Sequence, residues 1–445
     1  MPGRRTRNLP TFLVVLACLI LAPALGATTV GATTATVTNV DSCRTIDSSG
    51  DYELTRDLTD RRDEICIEIR ATDVTFDGNG HRIDGRSDSG TTGILLEDAE
   101  DVTVEDVRVT EWGTGIRLEY EARDIDLVDN RIEDNDGPGI RGDDVSSITV
   151  RENRILSNGD GLNFAVSGRL DISENVIDRN DGHGISLDDS STRRIEDNEI
   201  RDNGGRGIWT RDLGANVVDN VVSGNGDSGI YVDADNNDRN REISGNEVYD
   251  NGDDGIHVRE IADTTVEDNE AYDNDDDGIL LGRFEDGTVE DNEAYDNGDD
   301  GIHLYGSSST GRTDADGNEI TDNDLSDNDD DGLFVERSND NEIADNDVED
   351  NGRDGVELAD SDENDVEDNV VDDNGDDGMR FYEADENDVE DNEVTDNGDD
   401  GLDIDNSDDN EFVENRICGN ADKQIAEDTD STGNEFRDND VSSQC

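Results

Sequence analysis

A glycine followed by an aliphatic residue or methionine recurs along most of this chain, at Gly93, Gly115, Gly139, Gly161, Gly184, Gly207, Gly229, Gly255, Gly278, Gly301, Gly332, Gly355, Gly378 and Gly401. The steps run from 22 to 26 residues apart from one of 31, and seven of the thirteen are 23. A period of that length marks a repeat architecture and constrains the fold more than any other feature. The inside of each period is fixed as well. The block Asn364-x-Val366-x-x-Asn369-x-Val371-x-x-Asn374-Gly375-x-x-Gly378-Met379-x-Phe381 returns as Asn387, Val389, Asn392, Val394, Asn397, Gly401, Leu402 and Ile404. Apolar residues come in short alternating pairs, never at i, i+3, i+4 over a long window, so the period is built of very short strands between tight turns. Asn-Gly, Asn-Asp and Asp-Gly at the turns suit left-handed or otherwise strained backbone.

A unit of three short strands and three corners cannot bury its few aliphatics alone, but it can when coiled onto its neighbours. Each strand then pairs in parallel with its equivalent one period on, about 4.8 Å away, and the stack forms a rod of about 65–80 Å. Side chains of the Asn369 and Asn374 type would form ladders that satisfy the backbone groups of the turns. The N-x-[IV]-x-x-N-x-x-x-x-N-G-x-x-G-I-x-L pattern resembles the parallel β-helix repeat of the pectate-lyase-like superfamily. It is most similar to the carbohydrate-binding and sugar-hydrolase type, NosD-like proteins included, over about residues 71–440. The resemblance implies an all-β fold, a single-stranded right-handed parallel β-helix of about 22–23 residues per coil. It speaks strongly to fold and weakly to activity. The chain divides into a signal peptide (1–27), an N-terminal linker with cap and first coils (28–90), the β-helix repeats (91–420) and a C-terminal coil and cap (421–445).

Charge bears on habitat. Asp and Glu number 121 against 35 Lys plus Arg, a net charge of -86, and Lys423 is the one lysine. In molar salt the Debye length falls to about 3 Å, and the self-repulsion of such a chain is screened. The composition resembles that of secreted haloarchaeal proteins. Nucleic acid is excluded as a partner, because no basic patch exists to displace phosphate counterions. Arg4, Arg5 and Arg7, the apolar run Thr11–Ala22 and the small residues Ala24 to Ala27 read as an export signal. Cys18 raises lipid anchoring, although the apolar run continues past it. No later stretch reaches the roughly 18 apolar residues of a transmembrane anchor, so a secreted, extracellular protein is expected.

The remaining cysteines fall at the two ends. Cys43 and Cys66 are 23 residues apart, one coil, and Cys418 and Cys445 are 27 apart, one coil with an insertion. Equivalent positions about 4.8 Å apart lie within the Cα range of a disulfide, so Cys43–Cys66 and Cys418–Cys445 are the expected pairs.

Two columns could carry function. The residue two after each marker glycine points outward, and from the sixth marker the column reads Trp209, Tyr231, His257, Leu280, His303 and Phe334, in a chain with 4% aromatics. Such a strip, about 25 Å long, could bind extracellular or cell-surface polysaccharide by stacking sugars on its rings, or could simply stabilise the sheet through neighbouring side chains. The inserts between Gly229 and Gly255 and between Gly301 and Gly332 adjoin it. Tyr249, Tyr272 and Tyr295 form another column at period 23, read as plain stacking. The second column, Asp254, Asp277, Asp300, Asp331, Asp354, Asp377 and Asp400, occupies one corner of successive coils. Its stacked carboxylates could hold Ca²⁺ or other brine cations, and no other cofactor is indicated. Asp273 to Gly278 mimics the start of an EF-hand loop, but its twelfth position is Phe284 where a Glu is required. A polysaccharide lyase, hydrolase or epimerase on the same face, and a structural or adhesive rod without a small ligand, remain open. Acid pairs are too common here to single out catalytic residues. Copper, which a NosD-like label brings to mind, is disfavoured by four scattered His and a single Met beyond the signal peptide.

Overall fold

In the computed structural model, which describes residues 36–165, 167–188, 191–211, 215–234, 241–307 and 315–445, the repeat coils as its apolar spacing requires. The expected signal peptide, with Cys18, lies outside these residues. Among the described residues every helix or strand is a β-strand, from Thr38–Val40 to Asp440–Ser442, and no helix is long and apolar enough to cross a membrane. Each coil supplies three strands. In the coil that starts at Asn387 they are Asp388–Glu390, Glu393–Thr395 and Leu402–Asp405. The first kind builds an 18-stranded sheet and the second a 16-stranded one. The third kind follows the glycine marker and builds what we call the marker sheet, from Arg44–Ile46 to Ile425–Glu427. Pairing is parallel and steps by one period, as in Val366 with Val389, Val371 with Val394 and Met379 with Leu402.

Alternation sends one residue of each short strand, or two in the marker strand, into a single continuous core. Ile279, Leu281, Val289 and Ala294, from one turn of the chain, are all fully buried. Both inserts fall between a marker strand and the first strand of the next coil, and their residues 235–240 and 308–314 lie outside the described residues. They follow the marker strands Ile230–Asp233 and Ile302–Tyr305 and precede Glu242–Ser244 and Glu319–Thr321, after which the register resumes.

Asparagine ladders hold the corners. The Asn369 amide donates to Asn392 Oδ1 at 3.0 Å from both its backbone and its side-chain nitrogen, and its Nδ2 also reaches the Ile343 carbonyl at 2.8 Å. Each rung thus satisfies turn groups of two coils that no strand ladder reaches. The turns use glycine differently from the sequence expectation. The residue before the ladder Asn takes the left-handed conformation, and it is usually Asp: Asp345, Asp368 and Asp391 have φ of 55°, 55° and 56°. Asp tolerates this region better than most residues, so part of the acidic surplus is conformational. The marker glycine is needed for close approach instead. A Cβ on Gly355 would stand 2.3 Å from Val371 Cγ1 and 2.7 Å from the Gly378 carbonyl oxygen.

Both expected disulfides are present, with Cα–Cα distances of 4.4 Å for Cys43–Cys66 and 5.3 Å for Cys418–Cys445. In the last described coil Phe436 and Val441 are 38% and 45% exposed. In a stack stabilised only by nearest neighbours, such an end opens first. Cys445→Ser is therefore expected to expose residues 430–445 to limited proteolysis while the main unfolding transition stays in place. A large shift of that transition would show that the end is coupled to the whole rod.

Candidate functional site

The outward column of the marker sheet is continuous. Trp209 pairs with Tyr231, Tyr231 with His257, His257 with Leu280, Leu280 with His303 and His303 with Phe334. These side chains are less open than outward pointing alone implies. Tyr231 is buried and the other five are half-buried. The Arg206 guanidinium lies 3.5 Å over the Tyr231 ring, and Tyr231 meets His257 with ring centroids 4.6 Å apart. His303 stacks on Phe334 at 4.6 Å, and Trp209 on His183 at 5.4 Å. Stacking between neighbours therefore accounts for part of the column. The Tyr249, Tyr272 and Tyr295 rings stack at 4.9 and 5.0 Å on the 16-stranded sheet.

The corner column is a ladder in its own right. The backbone N–H of Asp300 donates to Asp277 Oδ1 at 3.0 Å, Asp331 to Asp300 at 2.9 Å, Asp354 to Asp331 at 2.9 Å, and Asp377 and Asp400 each to the preceding carboxylate at 2.8 Å. An acceptor on the preceding coil is the physical reason for Asp here, and all seven expected residues are buried. Toward the N-terminus the same position is held by Asp160, His183 and Arg206. The His183 N–H donates to Asp160 Oδ1 at 3.1 Å, and the Arg206 N–H to His183 Nδ1 at 3.0 Å.

The corner turns the spare Asp oxygens onto the outward column, so the two columns meet in one site. Asp254 Oδ2 lies 2.8 Å from His257 Nδ1. His303 Nδ1 sits between Asp277 Oδ2 at 3.4 Å and Asp300 Oδ2 at 3.6 Å. Together with Arg206, Tyr231, Leu280, Tyr305 and Glu336, the side chains of Asp254, His257, Asp277 and His303 border an open groove of about 490 Å³. Trp209 and Phe334 continue the strip at its ends. Asp331, Asp354, Asp377 and Asp400 continue the ladder away from the groove.

Burial dominates the electrostatics. It pushes the Asp254 carboxyl up despite the opposing His257 bond, and with Asp277 it pushes Asp300 up to about 7. For His303 burial favours the neutral ring, but the Asp277 bond and the nearby Asp300 overcome it and raise the pKa. The Nε2 atoms of His257 and His303 are buried and make no hydrogen bond. Carboxylates dominate the sets that could hold a cation: Asp253, Asp254 and Asp276 line the groove, and Asp277 and His303, which also line it, meet Asp300.

Arg206, Tyr305 and Glu336 were not singled out from sequence. Arg206 was legible, since it stands just before a marker glycine in the position Asp occupies later. Tyr305 and Glu336 were not, because they end marker strands and reach the groove only through the packing of adjacent coils.

Three parallel sheets around one core, with a column of rings on one face, define a parallel β-helix. The chain belongs to the right-handed β-helix family: the family described as "Right handed beta helix region" matches residues 92–240 and 233–324, more than half the sequence. Residues 312–444 also match the family described as "Periplasmic copper-binding protein (NosD)". Among solved structures the chain is similar to the A-module of mannuronan C-5 epimerase AlgE6 from Azotobacter vinelandii, at 16% identity, 91% coverage of each chain and a TM-score of 0.43. It is also similar to the periplasmic alginate epimerase AlgG (13% identity, 78% of this chain and 76% of that one, TM-score 0.40) and to the Dettilon tailspike protein (16%, 65% and 59%, 0.42). No curated protein matches it in sequence. Copper does not suit the NosD-like segment. Residues 312–444 contain no His, Cys418 is disulfide-bonded and Met379 is fully buried, so soft ligands are lacking.

Proposed function

We propose that this is an exported protein that binds a hydroxyl-rich, uncharged polysaccharide lengthwise along the marker-sheet groove. The observation that carries the reading is the unbroken register of Trp209, Tyr231, His257, Leu280, His303 and Phe334 beside a row of carboxylates. Apolar faces of sugar rings pack on aromatic side chains, and ionised carboxylates accept hydrogen bonds from sugar hydroxyls. Asp253, Asp254, Asp276, Asp277, Asp299 and Glu336 border the groove against Arg206, a charge balance that disfavours a polyanionic chain. The disulfides at both ends suit an oxidising compartment outside the cytosol.

The test is glycan binding by the full chain in molar KCl. Trp209→Ala and Tyr231→Ala are each expected to weaken binding by about tenfold or more, the equivalent of about 1.4 kcal/mol. Tyr295→Ala, on another sheet, should leave it unchanged. Wild-type affinity in both groove variants would remove this reading, and retention of no glycan at all would favour a purely structural rod.

The His257–Asp254 pair supports a second reading, chemistry on the bound chain. A carboxylate at Nδ1 fixes that nitrogen as the protonated one and leaves Nε2 as a base. Because Nε2 is covered, the ring would have to be uncovered when the chain binds. New reducing or unsaturated ends that vanish in His257→Ala would establish it.

A further inference from the structure

At the end of the strip, three buried carboxylates meet where the corner ladder adjoins the outward column. Asp331, Asp354 and Glu357 are 1%, 1% and 7% exposed, and one oxygen-bearing ligand atom from each lies within 4.8 Å of the others. Asp331 and Asp354 are ladder rungs whose Oδ1 atoms accept the N–H groups of Asp354 and Asp377 at 2.9 and 2.8 Å. Glu357 is the outward residue paired with Phe334. Asp354 Oδ2 is buried and makes no hydrogen bond. The nearest cation is Arg380, whose Nη1 stands 3.5 Å from Glu357 Oε1 and 3.8 Å from Asp354 Oδ2, beyond hydrogen-bond reach, with its Nε 3.9 Å from Asp403. Arg380 Nε is itself buried without a hydrogen bond. Arg353 bonds to Asp330 at 3.1 Å and reaches Asp331 only through space.

A single guanidinium shared among these acids leaves buried negative charge uncompensated, which is costly unless a proton or a cation joins it. Three atoms mutually within 4.8 Å enclose a point no more than about 2.8 Å from each, close to the 2.3–2.6 Å of a calcium–oxygen contact. We propose that Asp331, Asp354 and Glu357 bind one divalent cation of the calcium class, which ties two coils together at the end of the strip. The all-oxygen set is hard and nearly dry, which suits Ca²⁺ better than Mg²⁺ with its retained waters, and better than copper. The other carboxylate sets away from the groove among the described residues, Asp376 with Asp377 and Asp399, and Asp399 with Asp400 and Asp422, each include exposed members. Those members are open to solvent. The site lies outside the groove and does not depend on glycan binding.

The experiment is calcium titration of the chelator-treated full chain in 2 M KCl, by calorimetry and by thermal unfolding, with the salt suppressing weak surface association. Wild type should show one saturable site and a higher Tm with Ca²⁺. Glu357→Gln and Asp354→Asn should weaken that site by about tenfold or more and abolish the Tm increment, and Glu390→Gln, half-buried on the 18-stranded sheet, should change neither. Arg380→Met distinguishes metal from guanidinium as the counter-charge: tighter Ca²⁺ binding supports the site. A wild-type Tm indifferent to Ca²⁺, or an isotherm unchanged in Glu357→Gln, overturns it.

Discussion

Asn346→Ala is expected to cost roughly 2–6 kcal/mol of stability, an effect usually reserved for large core residues. Asn346 Nδ2 donates to the Ile320 carbonyl and to Asn369 Oδ1, both at 2.9 Å. Its Oδ1 accepts the Asn323 backbone N–H at 3.1 Å and Asn323 Nδ2 at 2.9 Å. The residue is 1% exposed, so water cannot replace what alanine removes. At least one amide and one carbonyl are left buried without partners, each worth about 1–3 kcal/mol. The rod is a chain of nearest-neighbour interfaces, so the loss should split its unfolding into two transitions on either side of the mutated coil. Calorimetry or denaturant melts followed by hydrogen exchange would show it. A loss under about 1 kcal/mol would mean that the ladder is replaceable by solvent.

The second large effect is an inverted dependence on pH. At low ionic strength, with chelator present, the unfolding temperature is expected to fall as pH rises from about 5 to about 8. Burial, aided by neighbouring carboxylates, pushes Asp300 and Asp377 up to about 7 and Asp354 up to about 6, against 3.8 for a free side chain. Between those values the folded chain keeps protons that the unfolded chain has released, so stability falls with rising pH. The contribution is complete below the unfolded pKa and gone once pH passes the folded one. Glu133 has the opposite sense: burial raises it, but Arg131 and Arg108 outweigh burial and hold it below the ordinary value, so its share is lost in acid. The ladder, with several raised groups, should dominate above about pH 5. Asp300→Asn keeps an acceptor for the Asp331 N–H and should reduce the slope. A Tm that rises toward pH 8 in the wild type would show that the ladder is ionised and compensated within the fold.

Much of the site was legible because a coil of constant length turns sequence period into spatial neighbourhood. Trp209 and Tyr231 are 22 residues apart and adjacent in the sheet, and Cys43 and Cys66 are 23 apart and bonded. The same logic failed wherever contact crosses between columns. His257 and Asp254 belong to separate columns of the repeat, although an i, i+3 step around a corner brings them to 2.8 Å. Glu357 follows Phe334 in the outward column, and nothing in its own period announces that it meets Asp331 and Asp354.

Period and alternation by themselves determined the three strands per coil, the parallel register, the disulfides and the order of side chains along each face. They suffice because parallel stacking leaves one free parameter, the repeat length. Only the tertiary structure decided how faces join. It showed the marker glycines to be demanded by coil-to-coil contact, many Asp to be left-handed turn residues, and the aromatic and acidic columns to be two walls of one groove. Those outcomes depend on corner geometry and on the depth to which each side chain is covered, which a linear period does not encode.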